Sequence, residues 1–328
     1  MKPPIEPELG NPGFGLMSLT RPGGPTTEQA IEVMHTALGN GAKFWNGGEF
    51  YGSPDYNSLH LINKYFTKYP EDANKVVLSI KGAYNFKTFS PDNKRANVIR
   101  SIEECLKVLD GKKSLDIFEP ARPDSNVPLE ETIGTIAEYV KAGKVGGIGL
   151  SEVSGETIRK AHAIHPIVAV ELEFSMFTTS LIGSSAAKAC VELNIPVVAY
   201  SPLGKGFLSG QFKSAKDIPE GSFLRHLPRY QPQVFDDNIK LVQEVEKLAS
   251  SKGVTVGQVA LGWVLSLSNK KGMPELLALP GTTTKSRVIE NQHPATLDEK
   301  DVAAIDDILT RIEVKGARYM PGVAGEEP

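Results

Sequence analysis

The chain has 328 residues, and 36 lysines and arginines against 39 aspartates and glutamates leave a formal charge of -3. Charged residues at 23% and apolar residues at 40% are ordinary for a soluble globular protein. A near-neutral chain lacks the basic face that phosphate backbones require, so no nucleic-acid partner is expected; the densest basic spot, DGKKS at Asp110 to Ser114, reads as a solvated turn. Two cysteines, Cys105 and Cys190, cannot form a disulfide framework and read as buried thiols. The opening MKPPIEPELG has no apolar core of a secretory leader, and no apolar run reaches membrane-spanning length. The expectation is a reduced, cytoplasmic protein with no membrane or metal partner.

In chain order, short apolar runs alternate with segments of helical spacing. The first run is GFGLM (Gly13 to Met17), followed by TTEQAIEVMHTALGNG. There Ala30, Ile31, Met34, Ala37 and Leu38 fall on one stripe, with Thr26 or Thr27 to cap the start and Gly39 or Gly41 the end. Next come KFWN (Lys43 to Asn46), VVLSIKG (Val76 to Gly82) and LDIFEPA (Leu115 to Ala121). PLEETIGTIAEYVKAGK then predicts a helix, with Pro128 suited to its first turn and Gly143 to its C-terminal cap. VGGIGLS (Val145 to Ser151), IVAVELE (Ile167 to Glu173), IPVVAYS (Ile195 to Ser201) and LLALPG (Leu276 to Gly281) complete the series. SGETIRKAHAI and SSAAKACVELN are further helices between them.

Runs this short and apolar suit strands buried on both faces of a parallel sheet. Eight of them, nearly all separated by a helix, predict a (β/α)8 TIM barrel occupying the whole chain, 1–328, as a single domain. The competing architecture, a two-domain Rossmann protein, would carry GxGxxG after its first strand; GFGLMS has Ser18 at the third glycine. After strand 7 a long segment, Gly204 to about Asp236, is predicted as a loop, and loops of that length usually bind something.

The runs end in polar residues: Asn46, Lys81, Arg122 with Asp124, Ser151 with Glu152, Glu171 with Glu173, and Tyr200 with Ser201. In a (β/α)8 barrel these ends share the face that carries chemistry. A lysine directly after a buried strand needs a partner or a role. Tyr51, on the loop after the second strand, and Lys81 make a proton-donor pair, because a neighbouring cation lowers the pKa of a phenol. Taken singly, Tyr51 is a rim aromatic and Lys81 a rim salt bridge; together on adjacent strand ends they point to function. His162 and His165 read as solvent-facing or capping, with no metal site. Trp45 and Trp263 read as structural, and Tyr84, Phe223 and Tyr230 as candidates for a substrate pocket.

GFGLMSL, FWNGGEFYG, VVLSIKG, LDIFEPARPD, GIGLSEVS, AVELEFSMF, VVAYSPLGKGFLSG and LPGTTTKSRVIEN, in this order, resemble the aldo-keto reductase superfamily over nearly the whole chain. WNGGEFYG with ARPD is most similar to the fungal pyridoxal reductases. The resemblance implies a (β/α)8 barrel that reduces carbonyls with NADPH, with pyridoxal as the aldehyde. Of the family's Asp, Tyr, Lys and His it implies Tyr51 as proton donor and Lys81 as its neighbour. Asn46 stands at the aspartate position and Ala121 at the histidine position, with Arg122 beside it as donor to the substrate carbonyl or as a salt-bridged residue pointing away. Asparagine adds no negative charge, so Lys81 is expected to be less neutralised and Tyr51 more easily ionised; Asn46 can still hydrogen-bond Lys81.

For the cofactor, the resemblance implies Ser151, Glu152 and Glu171 at the nicotinamide carboxamide and Tyr200 stacked on the ring. It also implies Ser201, Leu203 and Gly206 along the pyrophosphate. Gly281, Thr282, Arg287, Glu290 and Asn291 fall at the adenosine end, where Arg287 suits a 2′-phosphate. Glutamates at 152 and 171 depart from the superfamily's more usual Asn and Gln. The alternatives are an NADPH-binding regulatory or redox-sensing module with little turnover, as the related potassium-channel β-subunits largely are, and a reductase of other aldehydes.

Overall fold

The computed structural model describes residues 12–88, 90–270, 272–320, 325, 326 and 328. The opening ten residues, read above as lacking a leader, lie outside them. Eight parallel strands run β1 (Phe14–Gly15), β2 (Phe44–Gly48), β3 (Val77–Gly82), β4 (Leu115–Pro120), β5 (Val145–Ser151), β6 (Ile167–Glu173), β7 (Val197–Tyr200) and β8 (Leu276–Leu279). They pair in chain order. Gly15 bridges Gly281 in parallel, and the Gly13 and Gly15 amides donate to Ala278 and Pro280 at 2.9 and 3.0 Å, joining the first strand to the last. The result is an eight-stranded barrel ringed by helices, as the alternation predicts. The first run makes only two strand residues before a turn of 3-10 helix at Met17–Leu19. A two-residue hairpin, Tyr84–Asn85 against Ser90–Pro91, follows β3.

The helices form where capping and apolar stripes coincide. Helix α1 (Thr27–Gly39) starts at Thr26, whose hydroxyl accepts from the Gln29 amide while the Gln29 side chain accepts from the Thr26 amide. Helices α2 (Ser58–Lys68), α3 (Arg95–Leu109), α4 (Leu129–Lys141), α5 (Gly155–Ile164) and α6 (Ser185–Glu192) follow successive strands. Pro128 sits at the cap position of α4, and Gly143 takes φ +71° just beyond its end. Between β7 and β8 lie α7 (Pro232–Lys252) and α8 (Val256–Ser266), and α9 (Lys285–Asn291) and α10 (Glu299–Arg311) complete the described helices. The long segment after β7 is shorter than predicted, because α7 already begins at Pro232, a proline at the first helical position. Its remainder winds through short 3-10 turns pinned by Tyr230, whose hydroxyl donates to the Gly204 and Lys205 carbonyls at 2.9 Å. Tyr230 is therefore a buried strut of this loop, not a pocket aromatic.

The period of two along each strand sets the site. Phe44, Ile117, Ala169, Val198, Leu277 and Leu279 form an apolar cluster distinct from the outer core. Two residues further along the same faces stand Asn46, Glu119, Glu171 and Tyr200. The barrel interior is thus floored by aliphatic and aromatic side chains and topped by a polar layer at the strand C-termini. Cys105 and Cys190 are buried free thiols, pushed up in pKa chiefly by burial, Cys190 to about 12. No described helix is long and apolar enough to cross a membrane.

Candidate active site

Strand β2 ends in Gly47 and Gly48, and the chain then turns so that the Tyr51 ring folds back over Gly48. A Cβ at Gly48 would lie 3.2 Å from that ring. Gly48 is in register with Lys81, and the Glu49 amide donates to the Lys81 carbonyl at 3.0 Å, which brings the Tyr51 turn and the end of β3 together. Thr20 Oγ1 donates to the Tyr51 carbonyl at 2.6 Å and anchors the turn. Glu49 itself is structural. It is buried and receives Arg100 through both oxygens, at 3.0 and 3.1 Å, and Ser101 at 2.7 Å.

Lys81 is 4% exposed and is not a rim salt bridge. Its ammonium pairs with Glu171 and stands 3.9 Å from Glu119. Burial acts to lower its pKa, but Glu171, Tyr51 and Glu119 outweigh burial and hold it above the ordinary lysine value. Asn46 does not bond Lys81 as expected. Its Nδ2 donates to Glu119 Oε1 at 2.9 Å and to Glu171 Oε2 at 2.8 Å. The acid missing at position 46 is thus replaced by two carboxyl groups on β4 and β6. The expectation that Lys81 is poorly neutralised and Tyr51 easily ionised is overturned. Burial is the largest influence on the Tyr51 hydroxyl, Lys81 and Arg122 oppose it, Glu171 and Glu119 reinforce it, and the net pKa is raised.

Glu119 is the residue that sequence reading missed. The signal was present: in LDIFE, Glu119 is two positions from Ile117, so it shares the inward face of a buried strand. Glu171, expected at a cofactor amide, instead has both oxygens engaged by Lys81 and Asn46.

Arg122 is half-buried. Its Nη1 donates to the Ala121 carbonyl at 2.7 Å and lies 3.5 Å from Ser151 Oγ. Among the described residues it makes no ion pair. Burial lowers its pKa, and Tyr200, Tyr319, Glu152 and Tyr51 more than offset this, leaving it raised. An aromatic wall adjoins Tyr51: Phe50 packs on it edge-on at 4.8 Å and stacks on Tyr84 at 4.6 Å. Arg21 lies 4.8 Å over the ring of Phe223 and is in the field of Tyr51.

The tail past α10 returns to this mouth, which the sequence did not signal. Arg318 pairs with Glu152 at 3.0 Å and Glu173 at 3.6 Å, and Tyr319 Oη meets Tyr200 Oη at 2.8 Å. Lys205 pairs with Glu173 and lies 4.4 Å over the Tyr319 ring. Glu326 accepts from the Ser154 amide at 2.7 Å and from Thr157 Oγ1 at 2.8 Å. Glu152, besides Arg318, accepts from the Glu173 amide at 3.0 Å. Burial raises its pKa, but Arg318 and Arg122 hold it below the ordinary glutamate value.

A second stretch of the rim is built from the loops after β7 and β8. Arg287 Nη1 donates to the Ser209 carbonyl at 3.0 Å, tying α9 to the β7 loop. Glu290 accepts from Thr255 at 2.7 Å, and the space above Gly257 is shared by Glu290 and Leu203. Thr282 and Asn291 are largely buried beside them. Ser201, Gly204, Lys205 and Gly206 all have positive φ, and at Gly206 (φ +109°) a Cβ would meet Phe212 at 2.9 Å. With Glu152 and Ala83, non-glycine residues in this strained region cluster just past strand ends, as they do at functional sites. A cation, hydroxyls and a close-turning backbone suit a dinucleotide phosphate here. At the inner end, the Ser151 hydroxyl and the Tyr200 ring suit a flat polar heterocycle.

His162 Nδ1 accepts from the Ile167 amide at 3.2 Å, and Trp45 Nε1 donates to the Ala42 carbonyl at 2.8 Å, so both are structural. Among the described residues no group of three His, Cys, Asp or Glu is placed to hold a metal.

The chain is 38% identical over 320 residues, 95% of each chain, to the Schizosaccharomyces pombe protein named "Probable pyridoxal reductase 2". It is 35% identical over 325 residues to that organism's aldo-keto reductase yakc, whose name specifies NADP(+), covering 96% of this chain and 92% of that one. The glycerol dehydrogenase of Gluconobacter oxydans superposes with a TM-score of 0.83 over 96% of both chains at 22% identity, a likeness of fold. The family model described as "Aldo/keto reductase family" matches residues 13–310, and the chain belongs to that family of oxidoreductases, whose members typically use NAD(P)H.

Proposed function

We propose that this enzyme is an NADPH-dependent carbonyl reductase that converts pyridoxal to pyridoxine, with Tyr51 as proton donor. The observation that carries the reading is Tyr51 standing in the field of the buried Lys81 at the barrel mouth. Tyr51 holds its proton below its raised pKa, so it is loaded for donation at neutral pH. As the carbonyl oxygen gains electron density, Tyr51 Oη passes it a proton, and Lys81 and Arg122 stabilise the resulting tyrosinate. Arg122, with Ser151 beside it, supplies the hydrogen-bond donor that a histidine at Ala121 would have supplied. A nicotinamide held by the residues below would supply the hydride that reduces the carbonyl carbon.

For the cofactor, we assign Ser151 and Glu152 to the carboxamide and Tyr200 to the ring face. Ser201, Leu203 and Gly206 are assigned to the pyrophosphate, and Gly281, Thr282, Arg287, Glu290 and Asn291 to the adenosine end. The reading of NADPH is supported by Arg287 and by the NADP(+) of the relative's name. The choice of pyridoxal is supported by the name of the yeast relative and by chemistry: the Phe50–Tyr84 wall suits a flat pyridine ring, and Arg122 suits the phenolate beside its aldehyde. On composition we read the chain, 1–328, as one domain working in the cytoplasm.

The test is the loss of NADPH absorbance on mixing purified protein with NADPH and pyridoxal, beside a panel of aldehydes. Rapid loss with pyridoxal supports the reading. Turnover of other aldehydes alone removes pyridoxal, and tight NADPH binding with no turnover of any aldehyde replaces the reductase with a cofactor-binding module.

A further inference from the structure

Strands β2, β3, β4 and β6 each send a polar side chain into one buried cluster. Asn46, Ser79, Lys81, Glu119 and Glu171 are each at most 4% exposed. The cluster contains one cation and two carboxyl groups. Lys81 contacts Glu171 directly but stands 3.9 Å from Glu119. Asn46 gives one amide proton to each carboxyl, at 2.9 and 2.8 Å, and adds no charge. This shared donor draws the two carboxyl groups together, and the nearness of Glu171 adds to burial in raising the pKa of Glu119. One ammonium does not balance two full negative charges in a site this deeply buried.

We propose that Glu119 and Glu171 share a single proton and together form the counter-charge of Lys81, with Asn46 as the clamp that holds the two carboxyl groups together. It rests on the reductase reading above only in making Glu119 a positioning residue for Tyr51, since Glu119 acts on the donor through Lys81. The proton resides on Glu119, because Glu171 is the carboxylate in contact with the ammonium. Burial and the nearness of Glu171 both keep Glu119 protonated well above the ordinary glutamate range, against Lys81. Ser79 Oγ adds a bond to Glu119 Oε1 at 3.3 Å.

The surroundings fit this arrangement. On β5, Gly149 leaves the space that Glu119 fills. A Cβ there would lie 3.0 Å from the Glu119 Cβ and 3.3 Å from its Oε2, and the β5–β6 register shifts at this residue. From β7 the Tyr200 ring covers Lys81 at 5.3 Å, and from the β2 loop Tyr51 acts on Lys81, Glu119 and Glu171, with Arg122 acting on Tyr51. The cluster is then neutral overall, and either carboxyl alone can balance Lys81.

The experiment measures Tyr51 ionisation by ultraviolet difference titration. Each protein is compared with its own Tyr51→Phe counterpart, in native protein, Glu119→Gln, Glu171→Gln and the double variant. Each single variant is expected to move the Tyr51 pKa by less than about half a unit. The double variant leaves Lys81 unbalanced and is expected to lower it by about one to two units. Infrared difference spectra of native protein should show a protonated carboxylic acid at neutral pH that disappears in Glu119→Gln. If Glu119→Gln alone lowers the pKa as far as the double variant does, Glu119 carries its own charge and the shared proton is overturned. An unmoved pKa in a folded double variant, or no protonated-acid band in native protein, overturns it equally. Should the double variant not fold, the isosteric Glu119→Gln and the infrared band still decide. Neither readout needs turnover, so both stand apart from the outcome with pyridoxal.

Discussion

Asn46→Asp is the substitution that restores the family's usual acid, and the structure indicates that it is costly here. Asn46 Nδ2 donates at 2.9 and 2.8 Å to two buried carboxyl groups. An aspartate would withdraw both donors and face Glu119 and Glu171 with a third acid. A fully buried carboxyl among like charges is raised by about three units or more. If the introduced carboxyl rises from about 3.9 to about 7, linkage makes the penalty about 1.5 kcal/mol at pH 5 and about 4 kcal/mol above pH 7. The sign follows from proton binding: the raised group binds a proton more tightly when folded, so stability relative to native protein is lost as pH rises between the unfolded and folded pKa values. Native Glu119 behaves in the same direction, so the quantity to measure is the difference between the two proteins. Urea unfolding of both at pH 5 and pH 8, with m-values checked for equality, reads it directly. A difference that is negligible, or identical at the two pH values, would refute the role of Asn46 as a neutral clamp and show that the introduced carboxylate simply pairs with Lys81.

Four other outcomes are expected. Tyr51→Phe should lower turnover by about 10²- to 10⁴-fold while NADPH binding, read by fluorescence titration, is kept; near-native turnover would remove Tyr51 from the chemistry. Arg287→Ala should weaken NADPH by about tenfold to a hundredfold and leave NADH unchanged, the loss of one charge-assisted contact to a 2′-phosphate; equal loss of both cofactors would assign Arg287 to shape alone. Gly149→Ala pushes a methyl to 3.0 Å from Glu119 and should cost about 1–3 kcal/mol of unfolding free energy, read by urea titration. Arg318→Ala strands Glu152, whose pKa burial would raise without its partner, and should cost about 3 kcal/mol at pH 7. That loss should close as pH falls below the unfolded carboxyl range, because the depressed Glu152 contributes stability only above it; a pH-independent loss would mean that the Arg318–Glu152 pair is not its source.

The barrel was legible in the chain because its causes are local. Strands such as Val145–Ser151 and Ile167–Glu173 are buried on both faces, so they appear as unbroken apolar runs whose bounds coincide with the predicted ones. Helix α1 announces itself through Thr26 and Gln29, three residues apart. The polar residues at the strand ends were legible as breaks in the apolar runs, although Asn46, Lys81, Ser151 and Glu171 stay buried in the barrel mouth. Tertiary structure alone decided how those residues partner one another. That Asn46 spans Glu119 and Glu171 depends on three strands turning side chains inward to meet across the interior at one end of the barrel, over separations of 73 and 125 residues. Nothing local in FWNGG or LDIFE encodes this meeting. The return of Arg318 and Tyr319 to Glu152 and Tyr200 is equally non-local, a tail held by ion pairs instead of by an apolar stripe. Hydrophobic periodicity records whether a side chain is buried. The charge state of Lys81 and the acidity of Tyr51 depend on which carboxyl groups are buried beside them, and only closure of the barrel determines that.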